Sequence, residues 1–158
     1  MRIRNLSIQG ITTGSTGILG ATMGALYVEN VVITGFNAGN GAGIRFQPTN
    51  ASAKLFVAVQ GGMVATNDGD GIRAVAATAV LNLTITGTSI VNNFGIGVLA
   101  SGGVATVRIG GATISGNTTG VSFAGATMQS FKNNQIAGNV TDGTPIPSFS
   151  GPDGAALQ

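Results

Sequence analysis

The sequence predicts an all-β fold: a single-stranded right-handed parallel β-helix (β-solenoid) of about six coils, each with three short strands. Three observations predict it. Gly followed by a branched apolar residue recurs at Gly17-Ile18, Gly43-Ile44, Gly71-Ile72, Gly97-Val98 and Gly120-Val121. A degenerate copy at Gly143 precedes Ile146, so the apolar residues fall 26, 28, 26, 23 and 25 positions apart. A repeat of that length, carried by Gly, Asn and β-branched residues, marks stacked coils. Hydrophobic residues make up 43% of the chain and charged residues only 8%, so Thr, Ser, Asn and Gly must cover the outer face. No segment sustains a helical apolar period, which argues against α-helix.

Each coil reads as three strands. One follows the Gly-apolar signal, in Ile44-Arg45-Phe46, Ile72-Arg73-Ala74, Val98-Leu99-Ala100 and Val121-Ser122-Phe123. Alternation places the first and third residue of each triplet inside. A second contains Leu26-Tyr27-Val28, Leu55-Phe56-Val57, Leu81-Asn82-Leu83 and Val107-Arg108-Ile109. Its predicted inner rows are Leu26, Leu55, Leu81, Val107 and Val28, Val57, Leu83, Ile109. A third row starts at Ile33, Met63, Ile90, Ile114 and Ile136, each followed by an asparagine: Asn37, Asn67, Asn93, Asn117 and Asn139. Asparagine tolerates the left-handed backbone of a sharp corner, and stacked asparagines can hydrogen-bond along a column. These five read as a structural row.

The solenoid is expected over 1–142, with a Pro/Gly-rich tail over 143–158. Pro145, Pro147 and Pro152 keep the tail from pairing as an interior strand, and Phe149 is placed to pin it to the rod. The chain opens with Met1-Arg2-Ile3-Arg4-Asn5-Leu6, already in a strand pattern. A mature fragment or a trimmed chain is expected to begin this way.

Composition removes several chemistries. With no Cys, a disulfide, a zinc-thiolate site and a catalytic thiol are excluded. With no His, the commonest general base and metal ligand are missing. The net charge of +2 comes from seven basic and five acidic residues. Arg2 and Arg4 are the only basic cluster, so nucleic acid is not an expected partner. No apolar run is long enough to span a membrane.

The stretch Ile114-Ser115-Gly116-Asn117-Thr118-Thr119-Gly120-Val121, followed by Ser130-Phe131-Lys132-Asn133-Asn134-Gln135-Ile136-Ala137-Gly138-Asn139, resembles the closing coils of bacterial right-handed parallel β-helix repeat proteins. These belong to the pectate-lyase-like superfamily. The resemblance implies a secreted or cell-surface bacterial protein. It implies fold far more strongly than function, because one solenoid hosts lyases, hydrolases, adhesins and passive scaffolds. The superfamily's enzymes act on acidic polysaccharides with clustered carboxylates.

The carboxylates here are Glu29, Asp68, Asp70, Asp142 and Asp153, and only Asp68 and Asp70 are placed to share a site. Asn67-Asp68-Gly69-Asp70-Gly71 reads as a polar turn; it also looks like a fragment of a calcium loop, so no cofactor is expected and Ca²⁺ at Asp68 and Asp70 is the one alternative. Two outward columns are candidate binding surfaces. Tyr27, Phe56, Asn82 and Arg108 form a strip suited to carbohydrate stacking or a protein contact. Arg45 and Arg73, one coil apart, suit an anionic polymer. The expected function is a non-enzymatic scaffold or binding module, self-associating through an open solenoid edge. The alternatives are a carbohydrate-binding module, a weak polysaccharide-active enzyme, and a truncated or engineered solenoid without activity.

Overall fold

The computed structural model describes residues 1–11, 14–22, 24–39 and 41–150. The chain climbs through β1 (Arg2–Arg4), β2 (Ser7–Gln9) and β3 (Thr16–Gly20), then β4 (Gly24–Glu29), β5 (Val32–Thr34) and β6 (Ala42–Phe46). The middle coils hold β7 (Lys54–Gln60), β8 (Met63–Ala65), β9 (Ile72–Val75), β10 (Val80–Thr86), β11 (Ser89–Val91) and β12 (Ile96–Ser101). The last hold β13 (Ala105–Gly110), β14 (Thr113–Ser115), β15 (Thr119–Ala124), β16 (Thr127–Ser130), β17 (Gln135–Ile136) and β18 (Thr141–Gly143). Every third strand joins the same sheet, giving three parallel six-stranded sheets with no helix among the described residues.

Counted up any one sheet, the chain makes about five turns, slightly fewer than the repeat count predicts. Six strands per sheet are separated by five turns, and the last position of the row also differs from the predicted one. Val121 pairs with Gly143, so Gly143 holds the sixth position of the row and Ile146 does not. Ile146 instead packs against the end of the core from the tail. Among the described tail residues, Ser148 forms a parallel bridge to Ser130 and the Phe149 ring meets Phe131 edge-on at 5.7 Å. Residues 151–158, including Asp153, lie outside the described residues.

The third sheet (β3, β6, β9, β12, β15, β18) has the predicted register: Ile18, Ile44, Ile72, Val98 and Val121 stack inside. In the second sheet (β2, β5, β8, β11, β14, β17) the inner row is Ile8, Ile33, Val64, Ile90, Ile114 and Ile136. Val64 therefore replaces the predicted Met63, which sits one residue out of phase.

The first sheet (β1, β4, β7, β10, β13, β16) departs further. Leu26 pairs with Val57, Val57 with Leu83 and Leu83 with Val107, while Leu55 pairs with Gly24 and Leu81. The prediction was thus two residues out between β4 and β7 and again between β10 and β13. Leu55-Phe56-Val57-Ala58-Val59 and Leu81-Asn82-Leu83-Thr84-Ile85 each hold three inward apolar positions. A two-residue slip keeps every side chain on its face, and the apolar pattern alone does not forbid it.

Candidate functional site

The corner between the second and third sheets is built around a buried asparagine ladder. Asn67 donates from N at 3.2 Å and Nδ2 at 2.8 Å to Asn93 Oδ1. Asn93 donates likewise to Asn117 Oδ1 at 3.0 and 2.9 Å, and Asn117 to Asn139 Oδ1 at 3.0 and 3.0 Å. Each Nδ2 of Asn93, Asn117 and Asn139 also donates to a backbone oxygen one coil back, on Val64, Ile90 and Ile114 respectively. Asp142 Oδ1 closes the ladder by accepting from Asn139 N and Nδ2. At the other end Phe36 N donates to Asn67 Oδ1.

Asn37 is exposed and stands outside this column. Phe36 takes its place because the early coil fills the corner with an aromatic ring, which is 6% exposed. The left-handed residue of the corner is also one position earlier than predicted. Gly35, Thr66, Asn92, Gly116 and Gly138 have φ between 53° and 76°, and each directly precedes a ladder position. The backbone bend and the side-chain ladder are thus carried by adjacent residues.

The recurring Gly before the branched apolar residue has a steric cause that the sequence pattern alone does not reveal. A Cβ on Gly71 would lie 2.7 Å from Gly97 O, 2.6 Å from Ile90 Cγ2 and 2.9 Å from Asn93 Nδ2. On Gly97 it would meet Gly120 O at 2.6 Å, Ile114 Cγ2 at 2.7 Å and Asn117 Nδ2 at 2.9 Å. The glycine column and the asparagine ladder occupy one another's only space. The ladder asparagines are structural parts of the corner.

The carboxylates are largely committed to the scaffold. Asp142 caps the ladder. Glu29 Oε1 lies 3.2 Å from Arg2 Nε. Asp70 is buried; its Oδ1 accepts from Ile96 N of the next coil at 2.9 Å, and its Oδ2 lies 3.5 Å from Arg73 Nη1. Asp68 is exposed on the same corner. Among the described residues no three His, Cys, Asp or Glu side chains gather in one place.

The outer face of the first sheet carries a different kind of site. Its columns read Arg2, Tyr27, Ala58, Thr84, Arg108 and, alongside, Ala25, Phe56, Asn82, Thr106. Tyr27 and Phe56 are therefore diagonal neighbours on adjacent coils and do not stack directly, which corrects the predicted single strip. Both are exposed, at 43% and 50%. Even so, Tyr27, Phe56, Ala58, Asn82, Thr84 and Arg108 line one open groove of about 400 Å³.

Ala58 sits in the column between Tyr27 and Thr84, and its small side chain leaves the groove its depth. Arg2 braces one end, 5.6 Å from the Tyr27 ring. Arg108 forms the other, 5.4 Å from the Phe149 ring of the tail. The alternating pattern of β7 and β10 signals that these side chains point outward; Ala58 and Thr84 are not in the predicted strip because they lie two residues further along their strands than Phe56 and Asn82.

Arg45 and Arg73 pair directly on the third sheet, on a different face of the rod from the groove. Among the described residues no helix is long and apolar enough to cross a membrane. Comparison of the chain with protein-family models, with curated proteins and with solved structures finds no match.

Proposed function

We propose that the protein is a non-enzymatic binding scaffold that presents the first-sheet groove to a saccharide chain. The observation that carries this reading is the groove itself. Two half-exposed aromatic rings flank a small floor, and Asn82, Thr84 and Arg108 supply hydrogen-bonding groups around it. An aromatic ring gives a sugar an apolar face to stack on, and amides, hydroxyls and guanidinium groups satisfy its hydroxyls. The columns follow the rod axis with one residue per strand spacing of about 4.8 Å, which suits an extended polymer better than a compact metabolite.

The commitments of Asp70, Asp142 and Glu29 to structural contacts support a binding role over acid–base hydrolysis. The resemblance of the repeats to pectate-lyase-like β-helices supports a secreted or surface location as part of the same proposal.

Affinity electrophoresis through gels containing neutral or acidic polysaccharides tests it. Wild type should be retarded by at least one of them, and Tyr27→Ala or Phe56→Ala should each weaken binding about tenfold, the equivalent of about 1.4 kcal/mol. Retardation unchanged in both variants, with folding intact, would remove the groove from the mechanism.

A further inference from the structure

The outward column of the third sheet reads Leu19, Arg45, Arg73, Leu99, Ser122. Arg45 and Arg73 stand directly opposite one another on adjacent coils, with their backbones about 4.8 Å apart. Like charges opposed in this way are unfavourable in a sheet. Arg73 is partly compensated by Asp70, whose Oδ2 lies 3.5 Å from Nη1 while Oδ1 is already engaged with Ile96 N. Asp68 is exposed and borders the same depression as Arg73, Phe94 and Leu99. Arg45 has no ion-pair partner among the described residues. The Nε atoms of both arginines are shielded from water and have no acceptor. Those shielded Nε atoms are closed to an external ion as well, so what points to a ligand is the direct opposition of two cations, one of them without an ion-pair partner among the described residues.

We infer that Arg45 and Arg73 form a binding site for a tetrahedral oxyanion, of the sulfate or phosphate class, that bridges the two coils. A carboxylate offers two coplanar oxygens and matches a single guanidinium fork. A tetrahedral oxyanion has oxygens left to reach a second fork one strand away. Its charge also relieves the repulsion between the two guanidinium groups. The site is on a different sheet from the groove and stands or falls independently of it.

Leu19 and Leu99 occupy the same column on either side, so Arg45→Leu keeps a side chain that this surface already accepts. The test is thermal unfolding of the full chain titrated with sodium sulfate, sodium phosphate or sodium acetate, each at ionic strength matched with sodium chloride. Wild type should show a saturable rise in Tm with sulfate or phosphate and none with acetate. Whichever tetrahedral anion acts at lower concentration identifies the source of the oxyanion. Arg45→Leu should lose the saturable rise, keeping only the gradual, non-saturating stabilisation that sulfate gives any folded protein. Arg73→Lys keeps the charge but not the fork, and should weaken the apparent affinity about tenfold. Equal rises in wild type and Arg45→Leu, or no saturable rise in wild type, would overturn the site. If Arg45→Leu does not fold, the Arg73→Lys comparison decides the same question.

Discussion

The asparagine corner and the first sheet are built on one coil repeat, yet they constrain the chain in opposite ways. At the corner, each coil offers one conformation. A left-handed residue makes the bend, the next side chain joins the ladder, and a glycine four residues further on, or three at Gly120, leaves room for the ladder asparagine of the following coil. On the first sheet only inward–outward alternation is demanded, and the outward positions vary freely: Tyr27 and Phe56 are aromatic, Asn82 and Thr84 neutral and polar, and Arg108 cationic. The corner therefore holds the fold, and the sheet face is free to carry recognition.

Breaking the corner should have the largest effect. Asn93→Ala removes the acceptor of Asn67 N and Nδ2 and the donor to Val64 O, all buried. At about 1–3 kcal/mol for each buried group left unpaired, the loss should approach 4 kcal/mol in urea unfolding. Gly71→Ala should cost about 3 kcal/mol, because the new Cβ meets backbone and ladder atoms that cannot move independently. Gly103→Ala is its control. Its Cβ would meet nothing closer than Gly125 O at 3.9 Å, and its stability should stay within about 0.5 kcal/mol of wild type. A large loss at Gly103 or a small one at Gly71 would mean that the glycine column is not a steric requirement.

The first sheet should respond in the reverse manner. Ala58→Trp fills the groove floor from a half-buried outward position, so polysaccharide binding should fall at least tenfold while the urea midpoint moves little. Tyr27→Phe should have the smallest effect, since it keeps the ring beside Arg2 and removes only a hydroxyl at a site already 43% exposed. Its affinity should change less than threefold, within about 0.6 kcal/mol. Side-by-side urea unfolding and affinity electrophoresis separate the two classes.

The same contrast explains what could be read from sequence. The third-sheet rows were legible because one Gly-Ile or Gly-Val in each coil falls at a near-constant spacing, which extra copies such as Gly95-Ile96 and Gly103-Val104 do not keep. The ladder was legible from Asn67 onward because asparagine recurs at fixed distance from the second-sheet row. Asn37 misled because it lies next to Phe36, and nothing local distinguishes a corner filled by a ring from one filled by an amide. The first-sheet register was not legible because Leu55, Val57 and Val59 are interchangeable under alternation, and the long connection from Gln47 to Ala53 hides the offset. The groove's members were therefore mostly identified while their neighbours were not. Tyr27 and Phe56 were paired directly, whereas the structure sets them diagonally with Ala58 beside Tyr27.

The most direct measurement is an amide chemical-shift map of the labelled protein titrated with soluble neutral and acidic oligosaccharides. The account predicts saturable shifts concentrated at Tyr27, Phe56, Ala58, Asn82, Thr84 and Arg108, with the ladder residues Asn67, Asn93 and Asn117 unmoved. Shifts centred on the corner or the third sheet, or no saturable shift with any saccharide, would contradict it.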